Sequence, residues 1–202
     1  MSRLPLRSIE NAPEEAKERL IAAEKNNGYL PNLLRVLANA PVALETYLTV
    51  GGINGRASLT LAEREAVQIT AAAIRGCGFC VAGHTAISYK KAKLEEPVVT
   101  ALRNKRSVPD ARLDAVARFT EAVIASRGAV SDEELVAFKA AGFDDQQSLE
   151  VVLGVSLATL CNFANNLGQP PLNPQMEAYL QQGIFERSGY DEACQQLQQL
   201  IV

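Results

Sequence analysis

The sequence predicts an all-α protein, a multi-helix bundle in which a helical hairpin carries a Cys-x-x-Cys motif. Apolar residues recur at helical spacing along most of the 202 residues, and capping residues, glycines and prolines divide the chain into segments of helical length. Hydrophobic residues make up 48% of the chain, which is enough to bury a core. We expect one helical domain over residues 1–202, with a motif-bearing half at about 30–107, a second half at about 108–170 and a C-terminal arm at about 171–202.

Three helices are expected before the motif, at about residues 11–27, 30–39 and 41–50. Pro13 suits a first helical turn, and Gly28 suits the residue that ends the first helix. The third helix should stop at Gly51–Gly52, because adjacent glycines weaken a helix. We interpret the run GGING at 51–55 as a hinge or turn, since it lacks both the spacing and the preceding strand of a nucleotide-binding loop.

The motif lies on two consecutive helices. Thr60 followed by Glu63 is a capping-box pattern, which predicts a helix from residue 60 to about residue 75. Gly76 suits the left-handed residue that ends this helix. A second helix should resume at Cys77 or Gly78 and continue through His84 toward residue 93.

Four further helices are expected at about residues 97–105, 110–127, 131–142 and 144–167. Ser131 with Glu134 is a second capping box, and Gly142 suits the end of the helix that it begins. The last of the four is apolar in its middle, and its length favours a buried helix over a buried strand. Prolines then mark an irregular stretch, followed by two short helical pieces at about 176–182 and 191–200.

The chemistry that the sequence offers is concentrated at Cys77, Cys80 and His84. His84 is the only histidine in the chain, and it lies four residues after Cys80, which places thiol and imidazole on one helix face. Cys80 falls in the first turn of its helix. The positive end of the helix dipole and the unpaired N–H groups favour a thiolate there.

Glu65 is a candidate partner for this pair. It shares an apolar stripe of its helix with Leu61 and Ile69, whereas Glu63 points to the opposite side and is explained by capping. A carboxylate in an apolar stripe must be paired, hydrogen-bonded or protonated. Its candidate partners are the arginines at positions 56 and 64 and the His84 imidazole.

The order Glu65, eleven residues, Cys77-x-x-Cys80-x-x-x-His84 resembles the core of the alkylhydroperoxidase D-like proteins, within the wider carboxymuconolactone decarboxylase superfamily. The flanking sequences SLTLAERE and GHTAIS resemble the peroxidase-related branch of that superfamily, so the specific likeness covers about residues 30–95. The chain departs from the best-known pattern at Phe79, where that pattern has a second histidine.

The resemblance implies a thiol peroxidase with an alkylhydroperoxidase D-like helical fold. Cys80 would attack a hydroperoxide and become a sulfenic acid, and Cys77 would then form a disulfide with it. The same order of roles follows from the residues, because Cys80 has His84 as a neighbour and Cys77 does not. His84 and Glu65 would form the proton relay. The resemblance also implies a dihydrolipoyl or thioredoxin-like dithiol as reductant and a homo-oligomer, a trimer or hexamer.

Other hypotheses remain open from the sequence. One is a cofactor-free decarboxylase or isomerase that uses Glu65 and His84 as acid and base. Another is a zinc site, although the Cys-x-x-Cys and His84 supply three ligands and Cys161 or Glu65 would have to complete it. The last is a redox-inert helical oligomer. Of the remaining cysteines, we interpret Cys161 as a buried core thiol and place Cys194 on the C-terminal arm.

The composition and charge of the chain argue against some classes of partner and indicate a cellular compartment. A net charge of −3, a pI near 5.3 and the absence of tryptophan argue against nucleic acid or an anionic membrane surface. No apolar run approaches the length of a membrane span, and the N-terminus lacks a signal-peptide pattern, so we expect a cytoplasmic protein. In a reducing compartment a Cys-x-x-Cys is redox-active or metal-binding rather than a structural disulfide. No cofactor is expected.

Overall fold

A computed structural model describes residues 2–180, and within this range it is helical, with no strand, which confirms the predicted all-α class. A π-helical turn follows α5 at Ser88–Ala92, and a 3-10 turn ends the described chain at Pro174–Tyr179. The α-helices are α1 (Glu14–Asn27), α2 (Asn32–Leu37), α3 (Pro41–Asn54), α4 (Leu61–Ile74), α5 (Gly78–Ile87), α6 (Glu96–Arg103), α7 (Ala111–Ser126), α8 (Asp132–Ala140) and α9 (Asp145–Gly168).

Two apolar clusters form the core, and α4 and α9 contribute to both. The first cluster joins α1, α2, α3 and α5 and contains the motif cysteines. The second joins α6, α7 and α8 and is centred on the stacked rings of Phe119, Phe138 and Phe143. Each cluster contains helices from before and after residue 107.

Close packing at Gly154 fixes α9 against α4. A Cβ at Gly154 would lie 2.9 Å from Val67 Cγ1, so the two helices approach as closely as they do only because this residue is glycine. The Gln68 side chain donates a hydrogen bond to the Gly154 carbonyl at 2.9 Å, which satisfies its buried amide. This contact sets the position of α9 relative to the helix that carries Glu65.

The predicted start of α4 and its junction with α5 are confirmed. Thr60 and Glu63 form both hydrogen bonds of the capping box. Gly76 has a φ of 64°, and the Cys77 N–H reaches back to the Ala72 carbonyl at 2.9 Å, which closes α4. The other predicted capping box, Ser131 with Glu134, is also present.

The sequence prediction is wrong for the glycine pair in α3. The helix does not stop at Gly51–Gly52 but continues to Asn54, and the Gly55 N–H still donates to the Gly51 carbonyl at 3.0 Å. Each glycine weakens a helix by only about 1 kcal/mol, which tertiary packing readily exceeds. Asn54 is buried, so the final turn of α3 is held against the rest of the molecule.

Two helix ends also differ from the prediction. The motif helix was expected to reach residue 93, whereas α5 ends at Ile87, and the π-helical turn then leads to Lys93 in the left-handed region. The piece expected at 176–182 is instead the 3-10 turn Pro174–Tyr179. The piece expected at 191–200, with Cys194, lies outside the described residues.

The central helix α9 is long and apolar enough to cross a membrane by length and composition alone. Its inner face, however, packs against α2, α3, α4, α5 and α7 and carries the buried side chains of Asn162 and Asn165. These are the features of a helix at the centre of a helical core.

Two glycine-to-alanine substitutions should change stability in opposite directions. Gly154→Ala places a methyl group against Val67 and should lower the free energy of unfolding by about 1–3 kcal/mol. Gly52→Ala meets no atom within 4 Å and should raise it by about 0.5–1 kcal/mol. Urea denaturation measures both values. Destabilisation by Gly52→Ala would instead favour the hinge expected from the sequence.

Candidate active site

Two consecutive helices, α4 and α5, bring the four predicted site residues together. Cys77 is the N-cap residue of α5, Cys80 lies in its first turn, and their sulfur atoms are 2.6 Å apart. Both side chains are buried, with exposed fractions of 1% and 3%. Because the sulfurs are already inside van der Waals contact, the separation of about 2.05 Å in a disulfide requires little movement.

Glu65 and His84 form the contact that the sequence made one of three alternatives. The His84 Nδ1 lies 2.8 Å from the Glu65 Oε2, and the Glu65 side chain is buried. The alternative partner Arg64 donates instead to the Leu59 carbonyl. Burial disfavours the charged imidazole, but the Glu65 carboxylate outweighs burial, so the pKa of His84 is raised. The Glu65 carboxylate therefore favours the protonated form of His84.

Cys80 is the acidic thiol of the site. Burial by itself raises the pKa of Cys80, but hydrogen bonds from the Cys161 and Cys77 thiols and the charge of His84 outweigh burial and hold that pKa well below its ordinary value. The Asn165 amide also points at the Cys80 sulfur, at 3.3 Å. These contacts describe a thiolate that accepts hydrogen bonds from its neighbours.

The two thiols beside Cys80 shift in the opposite direction. The hydrogen bond with Cys80, followed by burial, raises the pKa of Cys77 far above its ordinary value. The same two causes raise the pKa of Cys161. The lowered pKa of Cys80 and the raised pKa values of Cys77 and Cys161 favour a negative charge on Cys80, with Cys77 and Cys161 as protonated donors.

Sequence reasoning missed the place of Cys161 in this site. The residue is a buried thiol, as expected, but its sulfur lies 3.5 Å from that of Cys80 and it is hydrogen-bonded to the Tyr47 side chain. The electrostatic interaction with the Cys161 sulfur, followed by burial, raises the pKa of Tyr47 well above its ordinary value, which keeps the hydroxyl protonated as a donor. A signal existed in the sequence: Cys161, Asn162 and Asn165 place polar side chains in an apolar helix, where they need partners.

A cavity of about 210 Å³ opens beside the site. Its polar wall is formed by Tyr47, Asn54, Arg64, Glu65, Gln68 and His84. The motif cysteines lie behind this wall and do not line the cavity. A larger groove of about 460 Å³ lies between α7 and α8, and neither a cysteine nor His84 lines it.

The arrangement of the potential ligands among the described residues does not support the zinc hypothesis. Within residues 2–180, no three His, Cys, Asp or Glu side chains converge to hold a metal ion. Cys77, Cys80 and Cys161 are close, but Cys80 takes the two other thiols as hydrogen-bond donors and His84 binds Glu65. Each potential ligand thus has a partner within the protein.

The structure corrects the interpretation of Glu63. The residue does cap α4, but it is also buried, and its Oε1 accepts a hydrogen bond from the Arg112 guanidinium of α7. The sequence suggested a cap alone because Arg112 is 49 residues away along the chain. Glu63 therefore holds α4 against α7 and takes no part in the thiol site.

Comparison with known proteins supports the resemblance. The model of the carboxymuconolactone decarboxylase family matches residues 41–130, which contain all four predicted site residues, and no curated protein sequence matches the chain. The resemblance to this superfamily is confirmed.

Solved structures share the fold. A peroxidase-related protein from Ralstonia eutropha JMP134, described as an alkylhydroperoxidase AhpD core, is 23% identical with a TM-score of 0.76, and the match covers 87% of this chain and 94% of that one. A peroxidase-related protein from Silicibacter sp. TM1040 is 18% identical with a TM-score of 0.74, over 86% and 92% of the two chains. The debrominase Bmp8, in complex with 2,3,4-tribromopyrrole, is 14% identical with a TM-score of 0.70, over 87% and 94%.

The Glu65 carboxylate should control the acidity of Cys80 through His84. Glu65→Gln removes the charge that holds His84 protonated, so the pKa of His84 should fall and that of Cys80 should rise. The pH profile of Cys80 alkylation by iodoacetamide, measured in a Cys77→Ser background, should shift to higher pH. At pH 7 the reaction with hydroperoxide should slow by roughly ten- to a thousandfold.

Glu63→Gln is the matched control, two residues away on the same helix. It weakens the contact with Arg112 and should lower the free energy of unfolding by about 1–3 kcal/mol, with no shift of the pH profile. An unshifted profile in Glu65→Gln would show that Glu65 serves packing alone.

Proposed function

We propose that this chain, whose residues 41–130 match the carboxymuconolactone decarboxylase family, is a thiol-dependent peroxidase that reduces alkyl hydroperoxides. The observation that carries the proposal is the environment of Cys80. Its buried sulfur contacts the Cys77 thiol at 2.6 Å and is held as a thiolate by thiol donors and by the charge of His84. A thiolate with a thiol partner in contact is the arrangement that two-electron reduction of a peroxide requires.

The first step is nucleophilic attack by the Cys80 thiolate on the terminal oxygen of the hydroperoxide. The S–O bond forms as the O–O bond breaks, and the departing alkoxide takes a proton from His84 to become an alcohol. Cys80 is oxidised to a sulfenic acid and the hydroperoxide is reduced. Glu65 stabilises the protonated His84 before this step and orients its ring.

The second step joins the two cysteines. The Cys77 sulfur attacks the Cys80 sulfenic acid, the S–S bond forms, and the hydroxyl leaves as water with the Cys77 proton. The raised pKa of Cys77 keeps that proton on the sulfur until the sulfenic acid exists. The resting site therefore contains a single nucleophile.

The cavity limits what reaches Cys80. Its volume of about 210 Å³ suits a small molecule, and its polar wall brings a bound hydroperoxide to His84. Cys80 is only 3% exposed. A hydroperoxide therefore reaches its sulfur either by passing between the side chains that line the cavity or after these side chains move.

The residues that line the cavity favour a second candidate function. Glu65 and His84 line the cavity while the cysteines do not, which is the geometry of an acid and base acting on a bound molecule without a cofactor. The fold does not decide between these chemistries, since a debrominase also has it. Decarboxylation or isomerisation that survives in Cys80→Ser but not in His84→Gln would favour this candidate.

The roles of the two cysteines are tested by single-turnover reaction with cumene hydroperoxide. Cys80→Ser removes the thiolate and should abolish formation of the alcohol. Cys77→Ser leaves the thiolate and should still form one equivalent of alcohol per chain, although it removes one hydrogen bond to Cys80. Equal loss of the first turnover in both variants would contradict the assignment.

A disulfide formed in each turnover needs a reductant. We propose a dithiol of the dihydrolipoyl or thioredoxin type, because a dithiol completes exchange by closing its own ring. Such a dithiol should restore the Cys77 and Cys80 thiols within minutes at pH 7, whereas glutathione at equal thiol concentration should be slower. Equal rates would argue against a dedicated dithiol partner. Because the disulfide must be cyclically reduced, we also propose a cytoplasmic location.

We also propose that the chain forms a homo-oligomer, a trimer or a hexamer. The outer face of α9 exposes an apolar stripe formed by Leu149, Val152, Phe163 and Leu167. Covering this stripe in an assembly would remove it from water. Light scattering that gives the mass of a monomer would contradict the proposal.

A further inference from the structure

Three sulfur atoms, rather than two, meet at the site. Cys161 projects from the buried face of α9, is 4% exposed, and its sulfur lies 3.5 Å from that of Cys80. The three described cysteines are all free thiols. Cys80 therefore has one thiol neighbour on its own helix turn and a second on a helix 81 residues away along the chain.

The surroundings of Cys161 differ from those of a cysteine that only fills space. Tyr47 is hydrogen-bonded to its sulfur, and the Asn165 amide lies 3.3 Å from the Cys80 sulfur and 3.9 Å from that of Cys161. Buried polar groups of this kind are costly unless they have partners. Here their partners are the sulfurs, so Tyr47 of α3 and Asn165 of α9 direct donors at the two atoms that would change during oxidation.

We infer that Cys161 is a second disulfide partner for Cys80, alongside Cys77. The inference rests on the proposed function for its physiological oxidant, but the pairing itself depends only on the geometry. The Cys161 sulfur would attack the Cys80 sulfenic acid, an S–S bond would replace the S–O bond, and the hydroxyl would leave as water with the Cys161 proton. The electrons and atoms balance as they do for Cys77.

Distance sets the order of the two partners. Cys77 is in contact with Cys80 and reacts first, whereas Cys161 must move closer by about 1.5 Å to reach the 2.05 Å of a disulfide. Cys161 therefore acts when Cys77 is absent, alkylated or occupied by a mixed disulfide. It then protects the Cys80 sulfenic acid from irreversible oxidation.

The experiment uses the full chain with Cys194→Ser, so that only the three described cysteines remain. In this background, Cys77→Ser leaves Cys80 and Cys161 as the only thiols. The protein is treated separately with diamide, which oxidises neighbouring thiols without a peroxide, and with cumene hydroperoxide. Thiols are counted after denaturation, and mass spectrometry of non-reduced digests locates any linkage. The control adds Cys161→Ser to the same protein.

We expect diamide to remove both thiols of the Cys77→Ser protein and to join fragments of α5 and α9 within one chain. Cumene hydroperoxide should do the same, whereas the control should stop at a Cys80 sulfenic acid that dimedone traps. Cys77→Ala replaces Cys77→Ser if the latter does not melt cooperatively.

The results separate this inference from the proposed function. If diamide links Cys80 to Cys161 but hydroperoxide does not react with the protein, the result supports the pairing of these two cysteines and contradicts the proposed peroxidase activity. The inference is overturned if both oxidants leave Cys161 open to alkylation, or if Cys80 links only between chains. Hydroperoxide treatment could instead give a dimedone-trapped sulfenic acid at Cys80 and a free thiol at Cys161. This result would support the proposed peroxidase activity and contradict a role for Cys161 in the reaction.

Discussion

A negative charge on a sulfur buried among helices is the constraint around which the site is built. An isolated thiolate at the depth of Cys80, 3% exposed, would be strongly disfavoured by the loss of solvent. Its compensation comes from three directions: Cys77 on its own helix, Cys161 and Asn165 on α9, and the charge of His84. Because these contributions come from different helices, the acidity of Cys80 depends on the relative placement of α4, α5 and α9.

That placement depends on features far from the sulfur. Gly154 lets α9 approach α4 closely, and Gln68 then ties the two helices at the Gly154 carbonyl. The ion pair between the buried Glu63 and the exposed Arg112 holds the start of α4 against α7. Glu65 lies on α4 between these two anchors. The position of its carboxylate, 2.8 Å from His84, is therefore set by a helix that is held at both sides. The packing of the bundle therefore orients the proposed proton relay.

Local signals in the sequence predicted the parts of the structure that local physics determines. The capping box at Thr60 and the left-handed Gly76 fixed the hairpin, and the spacing of Cys80 and His84 placed them on one face. Contacts between distant segments were not predictable in this way. The partner of Glu63, the continuation of α3 through its glycines and the approach of Cys161 to Cys80 all depend on tertiary packing. The catalytic roles of the four site residues stay predictions.

The central claim is that the buried Cys80 thiolate is a specific reductant of hydroperoxides. The most direct measurement is the anaerobic titration of the reduced native protein with cumene hydroperoxide, following thiols and alcohol together. One equivalent of hydroperoxide should consume two thiols and yield one alcohol, at a rate at least about a hundredfold above that of free cysteine at the same pH. Oxidation no faster than that of free cysteine, or thiols left intact after the hydroperoxide is consumed, would contradict the claim.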